Sequence, residues 1–363
     1  MTHLASAFSG SYAPGDVTFL LKPVVMPTVD VDTKEAEIQS GRRHYSEMLS
    51  PEEPPPPAYM ETFRRAFDAN RARVGRDVAS LAKALADRPG REVVLVSLAR
   101  AGTPIGVLLR RTLEILGRSA VHYSVSIIRD RGLDLTAMRA ILARHTASDV
   151  VFIDGWTGKG AIRGELSRST ARDCPELAAA PLCVLSDLAG VADLAAGDED
   201  YVIPSAILNG IISGLVSRSV LSDAVVGPGD FHGCVVLDHL APHDLSRWYV
   251  DAQMDDVRAH LDAAAPAQWD PARREEAARV SAAFVEDMLA RTGVGDRNRV
   301  KPGIGEATRA LLRRVPHRLF VRDAGTADLA HLLTLAAAKG ITPDIDPDLP
   351  YGACAIIKTL GPG

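Results

Sequence analysis

The run Val150-Val151-Phe152-Ile153-Asp154-Gly155-Trp156-Thr157-Gly158-Lys159-Gly160 constrains this chain more than any other stretch. Four consecutive apolar residues, three of them β-branched, read as a buried strand that ends on the carboxylate of Asp154. A glycine-rich turn follows, and a helix opens at Ala161. Such a turn points several backbone N–H groups at one spot, and the helix N-terminus adds positive potential there. Thr157, Gly158, Lys159, Gly160 and Ala161 therefore form a candidate anion cradle. Asp154, at the strand end, is placed to accept hydrogen bonds from sugar hydroxyls, so the pair points to a phosphorylated ribose. A Walker A loop is excluded, because Ile153 stands where its first glycine belongs and Gly160 where its Ser or Thr belongs. The dinucleotide fingerprint fails too, since Gly164 comes one residue late after Gly158 and Gly160. A strand–turn–helix crossover without ligand is the plainer alternative.

A second segment has the same form. Residues 93–98 are apolar, Arg100-Ala101-Gly102-Thr103 makes a small-residue turn, and Pro104 suits a first helical turn. Between the two segments lies the alternating stretch 121–128, followed by the polar run Arg129-Asp130-Arg131-Gly132-Leu133-Asp134. This order resembles the core of type I phosphoribosyltransferases. The resemblance implies that Arg100, Ala101, Gly102 and Thr103 hold the pyrophosphate of phosphoribosyl pyrophosphate with Mg²⁺. It implies that residues 157–161 hold the 5′-phosphate, and that Arg129 and Arg131 ride on a mobile loop that closes over the site. It also implies a non-proline cis peptide at the Arg100–Ala101 turn. The family's second acidic residue is replaced here by Gly155.

Wider similarity lies in Ser9-Gly10-Ser11-Tyr12, His44-Tyr45-Ser46-Glu47, Ser213-Gly214-Leu215-Val216-Ser217-Arg218 and Asp230-Phe231-His232-Gly233. On these residues the first 260 or so positions resemble a phosphoribosyltransferase-like family of tellurite-resistance (Ter) stress gene clusters. That family also goes under the name cysteine protease StiP. The resemblance places a family cysteine in the Pro-Ser-x-x-Leu-Asn segment, where this chain has Ile207. The tail from Val300 to Arg309 resembles the PELOTA-type RNA-binding domain, related to the ribosomal L7Ae fold.

With 363 residues, 47% hydrophobic and 24% charged, the chain can build two substantial cores. A net charge of −5 gives no global argument for nucleic acid. Cys174, Cys183, Cys234 and Cys354 show no C-x-x-C spacing, which argues against a disulfide framework or a structural zinc site. No basic-then-apolar leader and no apolar run of membrane-spanning length is visible, so no membrane partner and a cytoplasmic location are expected. Composition divides the chain into an N-terminal arm (1–57), an α/β domain (58–262), a helical linker (263–296) and a small α/β domain (297–363).

Other clusters invite functional readings. His239 and His243 have zincin-like spacing, but Pro242 intervenes and the zincin glutamate is missing. His232 is a better candidate for lining a site. Cys234, two residues on, would share its strand face and is the alternative nucleophile; the plainer reading is a small buried hydrophobe. Ser205, Asn209 and Ser213 read as one helical stripe, with Arg218 as an anion contact beyond it. Between Arg297 and Arg322, eight Lys or Arg stand against Glu306 alone. Lys301, Arg309 and Arg313 are therefore candidate contacts to structured RNA, against the simpler reading of a solvated basic face.

The sequence thus predicts an α/β protein: a type I phosphoribosyltransferase-like domain with a mostly parallel sheet, followed by a small PELOTA-like domain. The expected function is transfer of ribose 5-phosphate to an acceptor that the sequence does not name. Asp154, Arg129, Arg131 and His232 would serve the chemistry, and a homo-oligomer is allowed. A cysteine peptidase on the same scaffold and a non-catalytic nucleotide- or RNA-binding protein are the alternatives.

Overall fold

Near-continuous apolar runs suit parallel strands covered on both faces, and the first two thirds of the chain adopt that arrangement. The computed structural model describes residues 8–358. The chain enters through β1 (Thr18–Leu20) and β2 (Lys22–Pro23), makes α1 (Val31–Gln39), and passes a proline run into α2 (Pro57–Ala86). There follow β3 (Val93–Leu98), α3 (Gly102–Ile115), β4 (Ala120–Val125), a hairpin of β5 (Ile127–Ile128) and β6 (Gly132–Leu133), and α4 (Leu135–Leu142). Next come β7 (Val150–Ile153), β8 (Trp156–Thr157), α5 (Ala161–Asp173), β9 (Leu182–Asp187) and β10 (Leu194–Gly197). The sheet order is β1-β4-β3-β7-β9-β10, with β8 beside β9, and every pairing is parallel.

From β3 the chain steps one way to β4, then crosses back to β7 and continues the other way. The order therefore reverses between β3 and β7, and ligands of open α/β sheets bind in the crevice at such a point. Both glycine-bearing turns lie there. Gly102 backs so closely onto β7 that a Cβ would fall 2.2 Å from the Ile153 carbonyl oxygen. The Ala99–Arg100 peptide of this turn is cis, one residue before the expected position.

Phe63, Phe67, Val74, Val78, Leu81 and Leu85 give α2 one apolar face, and all six are buried. That face packs on α6 (Ser246–Leu261), which the chain reaches after the short β11 (Gly233–Cys234). The long α7 (Pro271–Thr292) is capped by the Asp270 carboxylate, which accepts from the Ala272 N–H at 2.9 Å, and is stopped by Gly293 at φ 67°. The remainder is β12 (Val300–Pro302), α8 (Ile304–Arg313), β13 (Pro316–Val321), α9 (Ala330–Ala338), β14 (Asp344–Ile345) and β15 (Ala353–Ile357). These strands form a second sheet in the order β12-β15-β13-β14. One apolar cluster runs without a break from Leu95 and Ile153 through Ile207 to Leu311 and Val321. The small domain is thus packed onto the first, not merely tethered to it.

Two sequence expectations change. Residues 205–213 are not a helix but two 3₁₀ turns, Pro204–Ala206 and Gly210–Ile212. Asn209 has φ −106° and ψ −121°, and Gly214 has φ 88°, so helical geometry fails at both and Ser205, Asn209 and Ser213 share no helical stripe. The expected mobile loop carrying Arg129 and Arg131 is instead the tight β5–β6 hairpin, turned at Asp130 with φ 66°. It is pinned to the arm: Arg129 N–H donates to the Tyr45 hydroxyl at 2.8 Å, and Arg131 pairs with Glu47.

Candidate active site

The crevice between β3 and β7 is built from four segments. Arg100 stands in the turn after β3, and its guanidinium donates to the Glu52 carboxylate at 2.5 and 3.1 Å and to the Val216 carbonyl at 2.7 Å. Asp154 stands at the end of β7 and accepts from the Gly155 N–H at 2.8 Å. Its side chain is buried, and burial pushes its pKa up to about 6 against the opposing pull of Arg309. Residues 155–160 form the glycine-rich turn, which meets the first one where Gly155 approaches the Ala101 carbonyl. Gly160 supplies the left-handed φ of 77° that starts α5.

The fourth segment is α8 of the small domain. Its Glu306 side chain lies against Gly158, with the carboxylate 3.8 Å from the Lys159 ammonium. Its Arg309 lies over the Trp156 ring at 4.3 Å, within the field of Asp154. Its Arg313 donates to the Asn209 side-chain carbonyl at 2.8 Å. A carboxylate and two guanidinium groups from the C-terminal domain therefore close the crevice that the anion cradle was expected to leave open. Lys159 reaches across to the Val300 carbonyl at 2.6 Å, and the Thr157 hydroxyl donates to Asp187. Thr103 is fully buried and bonds Ser124 at 2.8 Å.

Arg309 and Arg313 thus face inward. The basic run has the spacing of a solvated face, but the apolar positions between (Ala307, Ala310, Leu311) pull that side of α8 onto the first domain. Burial lowers the pKa of both guanidinium groups, and it pushes Lys301 down to about 7. Glu52, Trp156 and Glu306 complete the crevice, and sequence reasoning passed over all three. The one available signal was that Glu306 is the sole acid in a basic run.

His232 and Cys234 lie elsewhere: His232 immediately precedes β11, and Cys234 is in that strand, beside β2. The His232 and Cys234 carbonyls both accept from that neighbour, from Lys22 N–H at 2.9 Å and Val24 N–H at 2.8 Å, so the two side chains share a face. The His232 ring Nδ1 bonds the Ser126 hydroxyl at 2.8 Å, and its backbone N–H donates to the Asp134 carboxylate at 2.6 Å. Burial holds the ring below the usual histidine value and Asp134 above the usual carboxylate value. Cys234 is fully buried in the apolar cluster and its thiol is pushed up to about 12. Burial likewise raises Cys183 and Cys354 to about 12 and Cys174 to about 11. Ile207, at the position where the family cysteine was expected, is fully buried. Among the described residues no group of three or more His, Cys, Asp or Glu is arranged to hold a metal ion. No described helix is long and apolar enough to cross a membrane.

Residues 10–254 match the family described as tellurite-like stress resistance cysteine protease StiP, and residues 279–359 match the PELOTA RNA binding domain. Cysteine protease StiP of Acinetobacter baylyi (strain ATCC 33305 / BD413 / ADP1) is 40% identical over 371 residues, spanning 99% of this chain and 97% of that protein. No solved structure matches. These matches overturn the expected transfer of ribose 5-phosphate: the family and the relative both bear the name of a cysteine protease, not of a transferase acting on phosphoribosyl pyrophosphate. The Mg²⁺ expectation rested on that substrate alone. By the family match over residues 10–254 and the near-full-length relative, the chain belongs to the tellurite-like stress resistance cysteine protease StiP family, with a PELOTA RNA binding domain over residues 279–359.

Proposed function

We propose that this chain is a cysteine peptidase built on a phosphoribosyltransferase-like scaffold, with Cys234 as nucleophile and His232 as its base. The observation that carries the reading is the near-full-length relationship to a protein named cysteine protease StiP. Of the four cysteines, Cys234 alone has a histidine two residues away. In the reaction the thiol gives its proton to the imidazole and the sulfur attacks the scissile carbonyl. The tetrahedral adduct collapses by breaking the C–N bond, and the imidazolium passes its proton to the departing amine. Water then hydrolyses the thioester to release the acid and restore the thiol. Ser126 bonds the His232 ring and Asp134 holds its backbone N–H, and together they would orient the imidazole for that transfer. The form described here is the resting one, because a thiol buried among apolar groups does not ionise at neutral pH. Opening around β11 is the step that would activate it. The order of strands and turns around the β3–β7 crevice supports the scaffold reading.

The test is labelling of the full chain with a cysteine-directed epoxide probe, alongside hydrolysis of casein. Stoichiometric labelling of Cys234, with labelling and hydrolysis both lost in Cys234→Ser and hydrolysis reduced in His232→Asn, is the expected result. Hydrolysis equal in the wild type and Cys234→Ser would overturn the assignment. A second reading, a non-catalytic RNA-binding protein, is favoured by the four buried thiols and by the PELOTA match. RNA would then meet outward groups of the small domain such as Arg322 and Lys339. In that case no hydrolysis would be seen, and RNA affinity would fall steeply with salt.

A further inference from the structure

Helix α1 buries the wrong kind of residue. Its two buried side chains are Lys34 and Glu35, neither of them apolar. Glu35 is accounted for, since the Arg314 guanidinium grips its carboxylate at 2.5 and 2.7 Å. Lys34 is not. It is 5% exposed, yet among the described residues its ammonium makes no hydrogen bond and no ion pair within 4.0 Å. A cation with so little exposure and no protein partner is costly to keep charged, and a counter-charge from outside the chain would offset that cost.

The Lys34 side chain lines a cavity of about 470 Å³ between the proline run of the arm, the 207–211 segment and helices α8 and α9. Two more cations line the same cavity, Arg218 and Arg313. Arg218 spends one nitrogen on the Tyr45 and Met48 carbonyls, while its other terminal nitrogen, Nη1, is buried with no partner. Two carboxylates reach the cavity. Glu52 is committed to Arg100, and Glu53 is exposed at the rim. Most of the remaining wall is apolar, with Pro54, Pro55, Tyr59, Leu208, Leu312 and Leu335, and Ser50, Asn209 and Thr334 are its polar members. Burial, and next the fields of Arg218, Arg314 and Arg313, push the Lys34 pKa down to about 8.

We propose that this cavity is a binding site for a small organic anion, a carboxylate or phosphate ester on an apolar body, anchored by Lys34 with Arg218 and Arg313 beside it. The volume falls in the range of small-molecule pockets, about 300–1,000 Å³, and a few convergent polar groups in an apolar wall are what such pockets present. The bound anion supplies the negative charge that the fold leaves out. The inference stands apart from the peptidase reading, since neither Cys234 nor His232 lines the cavity.

The test is calorimetric titration and thermal denaturation of the full chain with benzoate, phenyl phosphate and inorganic phosphate. Binding by one of the two aromatic anions, with inorganic phosphate weaker, is expected, and the preferred headgroup distinguishes a carboxylate from a phosphate ligand. Lys34→Met keeps the buried stem and removes the charge. It should weaken that anion by about tenfold or more, the scale of a lost charge-assisted hydrogen bond, and should raise the melting temperature of the unliganded protein. Leu335→Trp fills the cavity with Lys34 intact and should also block binding. No binding of either aromatic anion to the wild type, or equal binding to the wild type and both variants, overturns the proposal.

Discussion

The crevice between β3 and β7 and the cavity beside α1 share Arg313 and Asn209 as a wall, but they treat charge in opposite ways. In the crevice Arg100 holds Glu52, Arg309 lies on Trp156 in the field of Asp154, and Lys159 reaches a carbonyl of the small domain. Between the Arg100 turn, the 205–213 segment and α8, on the Arg309–Arg313 side of the crevice, the free space is about 10 Å³, the volume that one water needs. In the cavity of about 470 Å³, Lys34 has no hydrogen bond or ion pair among the described residues, and Nη1 of Arg218, a second lining residue, is buried without a partner. A glycine-rich turn at a switch point is therefore not enough to make an open site. The domain packed over it decides. Conversely, an arm helix with no recognisable motif leaves the less satisfied charges.

The largest way to break this contrast is to unpair the crevice. Arg100→Ala would leave Glu52 buried beside the cavity with its charge unmatched. Removing one partner of a buried pair costs about 3–5 kcal/mol, and urea denaturation should show a loss of that order. Because Glu52 also lines the cavity, its freed carboxylate should weaken anion binding there as well. A loss under about 1 kcal/mol would mean that the pair is no more than a surface contact.

A smaller effect follows from Asp154. Its folded pKa is raised from 3.8 to about 6 by burial, so the folded state holds this proton more tightly than the unfolded chain. The resulting stability is complete below about pH 4 and is lost as pH rises to about 6. A shift of that size corresponds to roughly 2–3 kcal/mol. Asp200, raised to about 6 for the same reason, adds a slope of the same sign. Asp154→Asn should therefore flatten, but not abolish, the fall in urea midpoint between pH 4 and 6. It should also be more stable than the wild type at pH 7. An unchanged pH profile would place Asp154 in water, and the crevice would then be open.

The smallest effect tests the lid. A Cβ on Gly305 would fall 2.2 Å from the Trp156 ring, which is the surface that Arg309 covers. Gly305→Ala should cost about 1–3 kcal/mol through overpacking, less up to about 1 kcal/mol of helix propensity gained. The Trp156 contribution to fluorescence should shift as the ring moves toward solvent. Anion binding beside α1 should change little. If it were lost together with the Trp156 contact, the crevice and the cavity would be one site.

Much of the fold was legible because it follows from local pattern. The apolar runs at 93–98 and 150–153 became parallel strands, and small residues marked the turns that meet at the switch point. The 205–213 segment was misjudged because i, i+4 spacing is compatible with a helix wherever nothing interrupts it. Here the backbone of Asn209 and Gly214 does.

The sequence by itself determined which elements form and where the chain must turn, since side-chain periodicity and glycine act within a few residues. Only the tertiary structure decided which charges meet. Glu52 finds Arg100 across 48 positions, Asn209 finds Arg313 across 104, and Glu35 finds Arg314 across 279. Lys34, beside Glu35 in sequence, finds none among the described residues. The worth of a charge depends on its desolvation and on the groups that packing brings within a few ångströms of it. Neither quantity is written in the spacing of residues along the chain, so Arg309 and Arg313, from a basic run that reads as an outer face, became part of the inner wall of the crevice.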